Sequence, residues 1–435
     1  MRLSAALLGG LLLLAAGMAG AAPARQDVRI WHSLTGLAQV YLEVLAARYN
    51  AAQAQARVVA VYKGSDDETL AAALAARREG RAPHIVLVDE SAAADVLERR
   101  AVRPLWQALQ ESGERLETRV APAVAGYFSD AQGRLLALPF STSTPVLYYN
   151  RDAFRAARLD PTAAPKSWYD MPAILEALAA AGSACPFTTA YPAWILLENM
   201  AAWHDQAFAT HENGMDGGEA ELAFNGRLMV RWIAMMASWQ KAGYFSYSGR
   251  GREGEARFAS GECAVLTAAS SSYAELRGKA RFDLGVAHLP YYDDFPEAPQ
   301  NTLVGGGALF IMDGSPGAET RLAARFLAWL AQPEVQAEWH QKTGAVPLSV
   351  AAYELTRRNG FYRSHPAQDI AIGQLLQREP TRRSRGIHIE QLRSIRGIVN
   401  EELEAVWLDR KTPLQALNDA VSRGNALLHR VRAQH

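Results

Sequence analysis

Between residues 28 and 88 the hydrophobic pattern alternates between a strand-like and a helix-like period, and this limits the fold more than any other feature of the chain. Residues 28–32 read as a short strand, 38–50 as a helix, 58–62 as a strand and 69–78 as an Ala/Leu-rich helix. Residues 84–88 are almost continuously apolar, as a strand covered on both faces is. Strands alternating with helices imply parallel pairing through right-handed crossovers, so the class is α/β. Residues 136–150 form a long extended run containing Pro139 and Pro145. Proline disfavours a central strand, so this run reads as a chain crossing between two lobes.

Further on, 167–181 reads as a helix with Ser167 as its N-cap and Gly182 as its stop. Residues 302–312, which include Gly305, Gly306 and Gly307, and residues 345–350 read as further crossings. Helices are expected at 318–331 and 334–342, separated by Pro333, and the tail from 403 to 431 reads as one amphipathic helix. These crossings assign 22–141 plus 305–345 to an N-terminal lobe and 142–304 plus 346–435 to a C-terminal lobe. Ligand sites favour such inter-lobe clefts and the carboxyl ends of parallel strands.

The first residues point to export. Arg2 precedes an apolar run at 3–16, and Ala19-Gly20-Ala21 fits a signal-peptidase site, giving a signal peptide at 1–21. The run is shorter than the roughly 20 residues a membrane span needs. Roughly 400 residues then remain, too many for one ordinary core. With 49% hydrophobic and 21% charged residues the chain is globular. Lys plus Arg balances Asp plus Glu at 45 each, which argues against nucleic acid as a partner. Cys185 and Cys263 each open an apolar run; they form one disulfide or remain two half-buried thiols.

Catalytic and cofactor motifs are missing from the sequence. There is no G-x-S-x-G elbow, no H-E-x-x-H and no phosphate loop ending in Gly-Lys-Ser/Thr, and the ten histidines are scattered. Two cysteines do not make a metal cluster, so no metal and no cofactor is expected. Asp89-Glu90 closes the apolar strand at the end that faces a cleft, where carboxylates suit hydroxyl recognition.

The chain resembles the glycerol-3-phosphate-binding proteins of bacterial ABC importers, within extracellular solute-binding protein family 1. The resemblance is carried by Trp31-His32-Ser33, Tyr62-Lys63-Gly64, the run from Ser143 to Asn150, and Phe245-Ser246-Tyr247. It continues through Ala298 to Asn301, Glu338 to Gly344, Gly360-Phe361-Tyr362 and Glu401 to Trp407. It implies the two-lobed periplasmic-binding-protein fold of type II, joined by several hinge crossings. The implied protein is no enzyme; it carries sn-glycerol 3-phosphate or glycerophosphodiesters through the periplasm to permease subunits and their ATPase. Carried over by position, the resemblance puts Glu90, Ser143, Gly306 and Arg396 at the ligand. Arg396 offers a planar fork of donors to the phosphate, Glu90 accepts from hydroxyls, Ser143 donates, and the Gly306 N–H approaches unhindered. Trp194 and Tyr191 give an apolar wall. Three positions depart from the family pattern: Asp66 and Ala345 replace tyrosines, and Ala269 replaces a serine with Ser270 adjacent. Asp66 adds negative charge that suits a cationic head group such as choline. The competing readings are a polyol or sugar binder and a secreted phosphodiesterase.

Overall fold

A computed structural model describes residues 25–217 and 219–433, so the expected signal peptide lies outside the described residues. Among the described residues ten strands form two sheets. The first contains β1 (Gln26–His32), β2 (Ala56–Tyr62), β3 (Ile85–Asp89), β4 (Val102–Arg103), β5 (Leu138–Ser143) and the late strand β10 (Gly305–Met312). Its order is β2-β1-β3-β10-β4, with β5 also paired to β10. The second contains β6 (Pro145–Asn150), β7 (Cys185–Thr189), β8 (Cys263–Ala269) and β9 (Leu284–Ala287), in the order β7-β8-β6-β9.

The expected alternation builds the first sheet. β1 runs parallel to β2 and to β3, and the intervening helices are α1 (Gly36–Ala52) and α2 (Asp66–Arg78). Parallel pairing is not general, however. β10 is antiparallel to β3, β4 and β5, and β6 is antiparallel to β8 and β9. These strands reach their sheet directly from the other one, with no helical crossover to reverse the chain.

The 136–150 run is two strands, one per sheet, with Thr144 between them. Pro145 stands at the first position of an interior strand, which the missing N–H tolerates. The other two crossings lie against this one. Thr144 Oγ1 bonds Thr302 Oγ1 at 2.6 Å and donates to the Leu303 carbonyl at 3.2 Å. The Val346 N–H donates to the Thr142 carbonyl at 2.8 Å.

Two helix expectations need correction. The helix after residue 167 is Met171–Ala180, and Ser167 is not its cap. Asp170 Oδ2 first accepts from the N–H groups of Lys166 and Ser167, closing a separate turn. The tail is two helices, Leu392–Trp407 and Pro413–Arg432. Asp409 takes a left-handed φ of 56°, and Thr412 starts the second helix with a capping box to Gln415. Cys185 and Cys263 sit opposite each other on parallel β7 and β8 and form a disulfide. No described helix is long and apolar enough to cross a membrane.

Two buried histidines tie this frame together. His204 Nδ1–H donates to the Met200 carbonyl at 2.8 Å, and Nε2 accepts from the Tyr292 N–H at 2.9 Å. His340 Nδ1–H donates to the Ala345 carbonyl at 2.7 Å, and its Nε2 accepts from Tyr362 at 2.9 Å. Burial pushes both rings down from 6.5 to about 4. Both are therefore neutral in the fold while the unfolded chain takes up protons, so their stabilisation is complete above pH 6.5 and is lost as pH falls towards 4. Urea unfolding should show a loss of about 2 kcal/mol per histidine between pH 7 and pH 5. Unfolding free energies independent of pH over that range would contradict the neutral, buried assignment.

Candidate functional site

A cavity of about 610 Å³ opens between the two sheets. One wall carries Ser33 after β1, Asp66 in the first turn of α2, Asp89 at the end of β3, and Gly306 and Gly307 of β10. The other carries Tyr191, Arg252, Ala269, Ser271, Ser272 and Glu275. Ala345 lines it from the third crossing. Local sequence sets these positions. Ser65 and Glu68 form a capping box that starts α2 one residue before Asp66. Asp89 caps the short helical turn that follows β3 by accepting from the Ser91 N–H at 3.1 Å.

Beneath the cavity lies a buried ionic centre. Arg396, on the Leu392–Trp407 helix, donates from Nε to Glu198 Oε1 at 2.6 Å and from Nη2 to Glu198 Oε2 at 2.8 Å. Its Nη1 lies 2.9 Å from Glu90 Oε1. Glu90 Oε2 accepts the Gly306 N–H at 2.6 Å, and Tyr127 donates to Glu198 Oε2 at 3.2 Å. Gly306 has a φ of +100°, and a Cβ there would lie 2.1 Å from the Ser141 carbonyl oxygen, so no other residue fits. Burial, and next the charge of Asp89, push the Glu90 carboxyl well above the usual carboxylate range. Burial opposes the Arg396 charge, but Glu198 and Glu90 outweigh it and the guanidinium stays charged.

Glu198 and Trp194 come from one π-helical segment, Ala193–Asn199. Its wider turn is typical of functional sites. Asn199 of the same segment accepts the Leu303 N–H at 2.8 Å, fixing the segment to the second crossing. Trp194 meets Tyr191 edge-on, and Gly305 leaves room for its indole. Tyr191 is held at a left-handed φ of 44°.

The structure distributes the sequence-derived residues over the cavity lining, a buried layer beneath it and the first crossing. Asp66, Tyr191 and Gly306 line the cavity. Glu90, Trp194 and Arg396 lie in the buried layer below, although 19% of the Arg396 side chain is still accessible. Ser143 ends β5 opposite Gly305, and Ser270 is bound to Thr144 through both its N–H and its hydroxyl. Ser271 and Ser272 therefore face the cavity in place of Ser270. Glu198 occupies the donor fork of Arg396, and Glu90 accepts the Gly306 N–H. Asp66 accepts from the Ser33 hydroxyl, and burial together with Asp89 raises its pKa.

Sequence reasoning also passed over Arg393 and Arg252. Arg393 lies one turn before Arg396 and bonds Asp67, with Ser91 Oγ at 3.3 Å and Asp89 at 3.5 Å. Helical i, i+3 spacing from Arg396 was the signal for it. No group of side chains suited to a metal ion occurs among the described residues.

A two-sheet frame crossed three times, with a polar cleft between the sheets and a charged centre at its floor, defines a two-lobed solute-binding protein of periplasmic type II. Residues 44–367 match the family model described as bacterial extracellular solute-binding protein, and the chain belongs to that family. The family is not enzymatic. Within it the chain is 44% identical to the sn-glycerol-3-phosphate-binding periplasmic protein of Yersinia enterocolitica over 406 residues, 93% of this chain and 92% of that one. Against the protein of the same description from Salmonella typhimurium it is 43% identical over 421 residues, 96% of each chain. The fold is similar to the UgpB structure from Mycobacterium tuberculosis in complex with glycerophosphocholine, with TM-score 0.78, 21% identity and coverage of 94% and 99%. It is also similar to the cyclic alpha-maltosyl-1,6-maltose binding protein from Arthrobacter globiformis, with TM-score 0.75, 19% identity and coverage of 93% and 99%.

The buried centre makes a stability prediction. Glu198→Ala leaves the Arg396 charge without its bidentate partner and should cost about 3 kcal/mol or more in urea unfolding, as removing one side of a buried pair does. Arg396→Ala should be similarly costly, because Glu198 then loses its counter-charge. Either variant unfolding within about 1 kcal/mol of the parent would contradict this description of the centre.

Proposed function

We propose that the chain is the periplasmic solute-binding component of an ABC importer, capturing sn-glycerol 3-phosphate or glycerophosphodiesters and delivering them to membrane permease subunits and their ATPase. The observation that carries this reading is 44% identity to a glycerol-3-phosphate-binding protein along 93% of the chain. A cavity of about 610 Å³ suits a ligand of this size. The proposed lobes are 22–141 plus 305–345 and 142–304 plus 346–435, with β5 carrying the first lobe on to Ser143. They close about the three adjacent crossings, the hinge motion general to periplasmic binding proteins.

In this reading the Arg396 centre recognises hydroxyls. Glu198 already occupies the guanidinium fork, so a phosphate placed there would meet its carboxylate at close range. A glycerol hydroxyl instead donates to Glu90 and accepts one of the N–H groups that Arg396 keeps spare. Trp194 and Tyr191 close the apolar side, and Ser143 and Ser270 hold the crossing beside the ligand. Asp66 and Asp89 form an anionic side wall, and the small side chain of Ala345 leaves space in the same cavity. A choline head group fits that space and gains from the carboxylates under partial burial. Glycerophosphocholine is therefore expected to bind at least as tightly as glycerol 3-phosphate.

Calorimetry with glycerol 3-phosphate, glycerophosphocholine, maltose and inorganic phosphate tests the reading. Saturable binding of the first two alone supports it; binding of maltose alone would overturn it. Asp66→Asn removes charge at nearly constant volume and should narrow the preference for glycerophosphocholine. Glycerol 3-phosphate binding about tenfold tighter in the parent would contradict the anionic-wall assignment. Small-angle scattering should show a smaller radius of gyration at saturating ligand, and no compaction would count against closure of the lobes.

A further inference from the structure

We propose that Arg252 is the residue that takes the ligand's phosphate, exchanging Glu275 for it when the ligand enters. The assignment rests on the reading that the ligand carries a phosphate group.

Charge inside the cavity is one-sided. Its lining includes Asp66, Asp89 and Glu275, and Arg252 is its one cationic side chain among the described residues. A cation at the surface an anionic ligand touches gives the stronger, charge-assisted bonds, and the nearby alternatives are committed. Arg396 lies below the lining and is held by Glu198 and Glu90. Arg393 is also off the lining and is shared among Asp67, Asp89 and Ser91.

The bonds of Arg252 divide into a fixed anchor and an exchangeable partner. Nε donates to Glu255 Oε2 at 2.9 Å, and Nη2 lies 2.8 Å from the same oxygen. The Glu255 side chain is only 7% exposed, and its other oxygen accepts the Ser272 hydroxyl at 2.7 Å. Glu255 therefore aims the guanidinium and stays in place. Glu275 accepts from Nη2 at 2.6 Å, but its side chain is 45% exposed and its other oxygen already has Lys279 Nζ at 2.6 Å. Releasing Arg252 leaves Glu275 solvated and still paired, so the exchange strands no buried charge. A phosphate there forms charge-assisted bonds in a partly enclosed site, with Ser271 lining the same wall.

Arg252 projects from the lobe of the second sheet and faces Asp66 and Asp89, which belong to the lobe of the first. The cavity thus holds its one cationic side chain on the wall opposite Asp66 and Asp89, free to turn to a ligand once Glu275 lets go. That polarity matches a phosphodiester carrying a cationic head group.

Calorimetry of the mature chain with glycerol 3-phosphate tests this through two variants of opposite expected sign. Arg252→Gln should weaken binding by about 30-fold or more, and Glu275→Gln should tighten it about threefold by removing the competing carboxylate. Arg252→Lys, which keeps a cation, should lie between Arg252→Gln and the parent. If the Arg252–Glu275 bridge were only a structural tie, both glutamine variants would break it alike and shift affinity in the same direction. A shared direction, or an Arg252→Gln affinity within about threefold of the parent, overturns the assignment while the ligand reading stands. A parent that binds no phosphate ligand overturns both.

Discussion

Arg396 and its two glutamates are the constraint around which the molecule is organised. The guanidinium comes from the tail helix Leu392–Trp407, Glu198 from the π-helical segment of the second lobe, and Glu90 from the short helical turn after β3 in the first. A buried charge is tolerated only if its partners are held in place, because desolvation otherwise outweighs the attraction. Each partner here has a second tie. Glu90 is bonded to the Gly306 N–H, and Glu198 to the Tyr127 hydroxyl. The centre therefore fixes the cleft floor to β10, a strand belonging to one of the crossings.

That arrangement separates two tasks along the cleft. The floor holds a guanidinium matched by carboxylates and suits neutral hydroxyls. The walls carry the exchangeable charge, with Arg252 and its exposed partner Glu275 on one side and Asp66 and Asp89 on the other. Hydroxyl, phosphate and head group can thus be recognised at different places, so the head-group end can change without disturbing the centre that holds the fold together. Asp66 and Ala345, the positions where the resemblance implies tyrosines, both line the cavity.

The alternation of periods made the first lobe legible from β1 to β3, because each apolar run there has one structural meaning. Proline positions marked the first crossing, although Pro145 begins an interior strand. The antiparallel strands β6 and β10 were not legible, since pairing direction follows from which lobe the chain arrives from and not from any local period. The break at residues 408–412 was hidden by an amphipathic pattern that continues in phase on both sides. At the site, Glu90, Gly306 and Arg396 came from resemblance, and their proximity is real. Their mutual bonding was invisible because Glu198 stands within an apolar segment that carries no motif. Arg252 was hidden for the opposite reason, as one arginine among many exposed ones.

The central claim is that Arg396 stays bound to Glu198 when the ligand is present and meets hydroxyls, not phosphate. A crystal structure of the glycerol 3-phosphate complex tests it most directly. Both Arg396–Glu198 bonds should be intact at hydrogen-bond distance, with a glycerol hydroxyl against Glu90 and the phosphate on the Arg252 wall. Glu198 turned away, with the phosphate seated in the fork of Arg396, would contradict it.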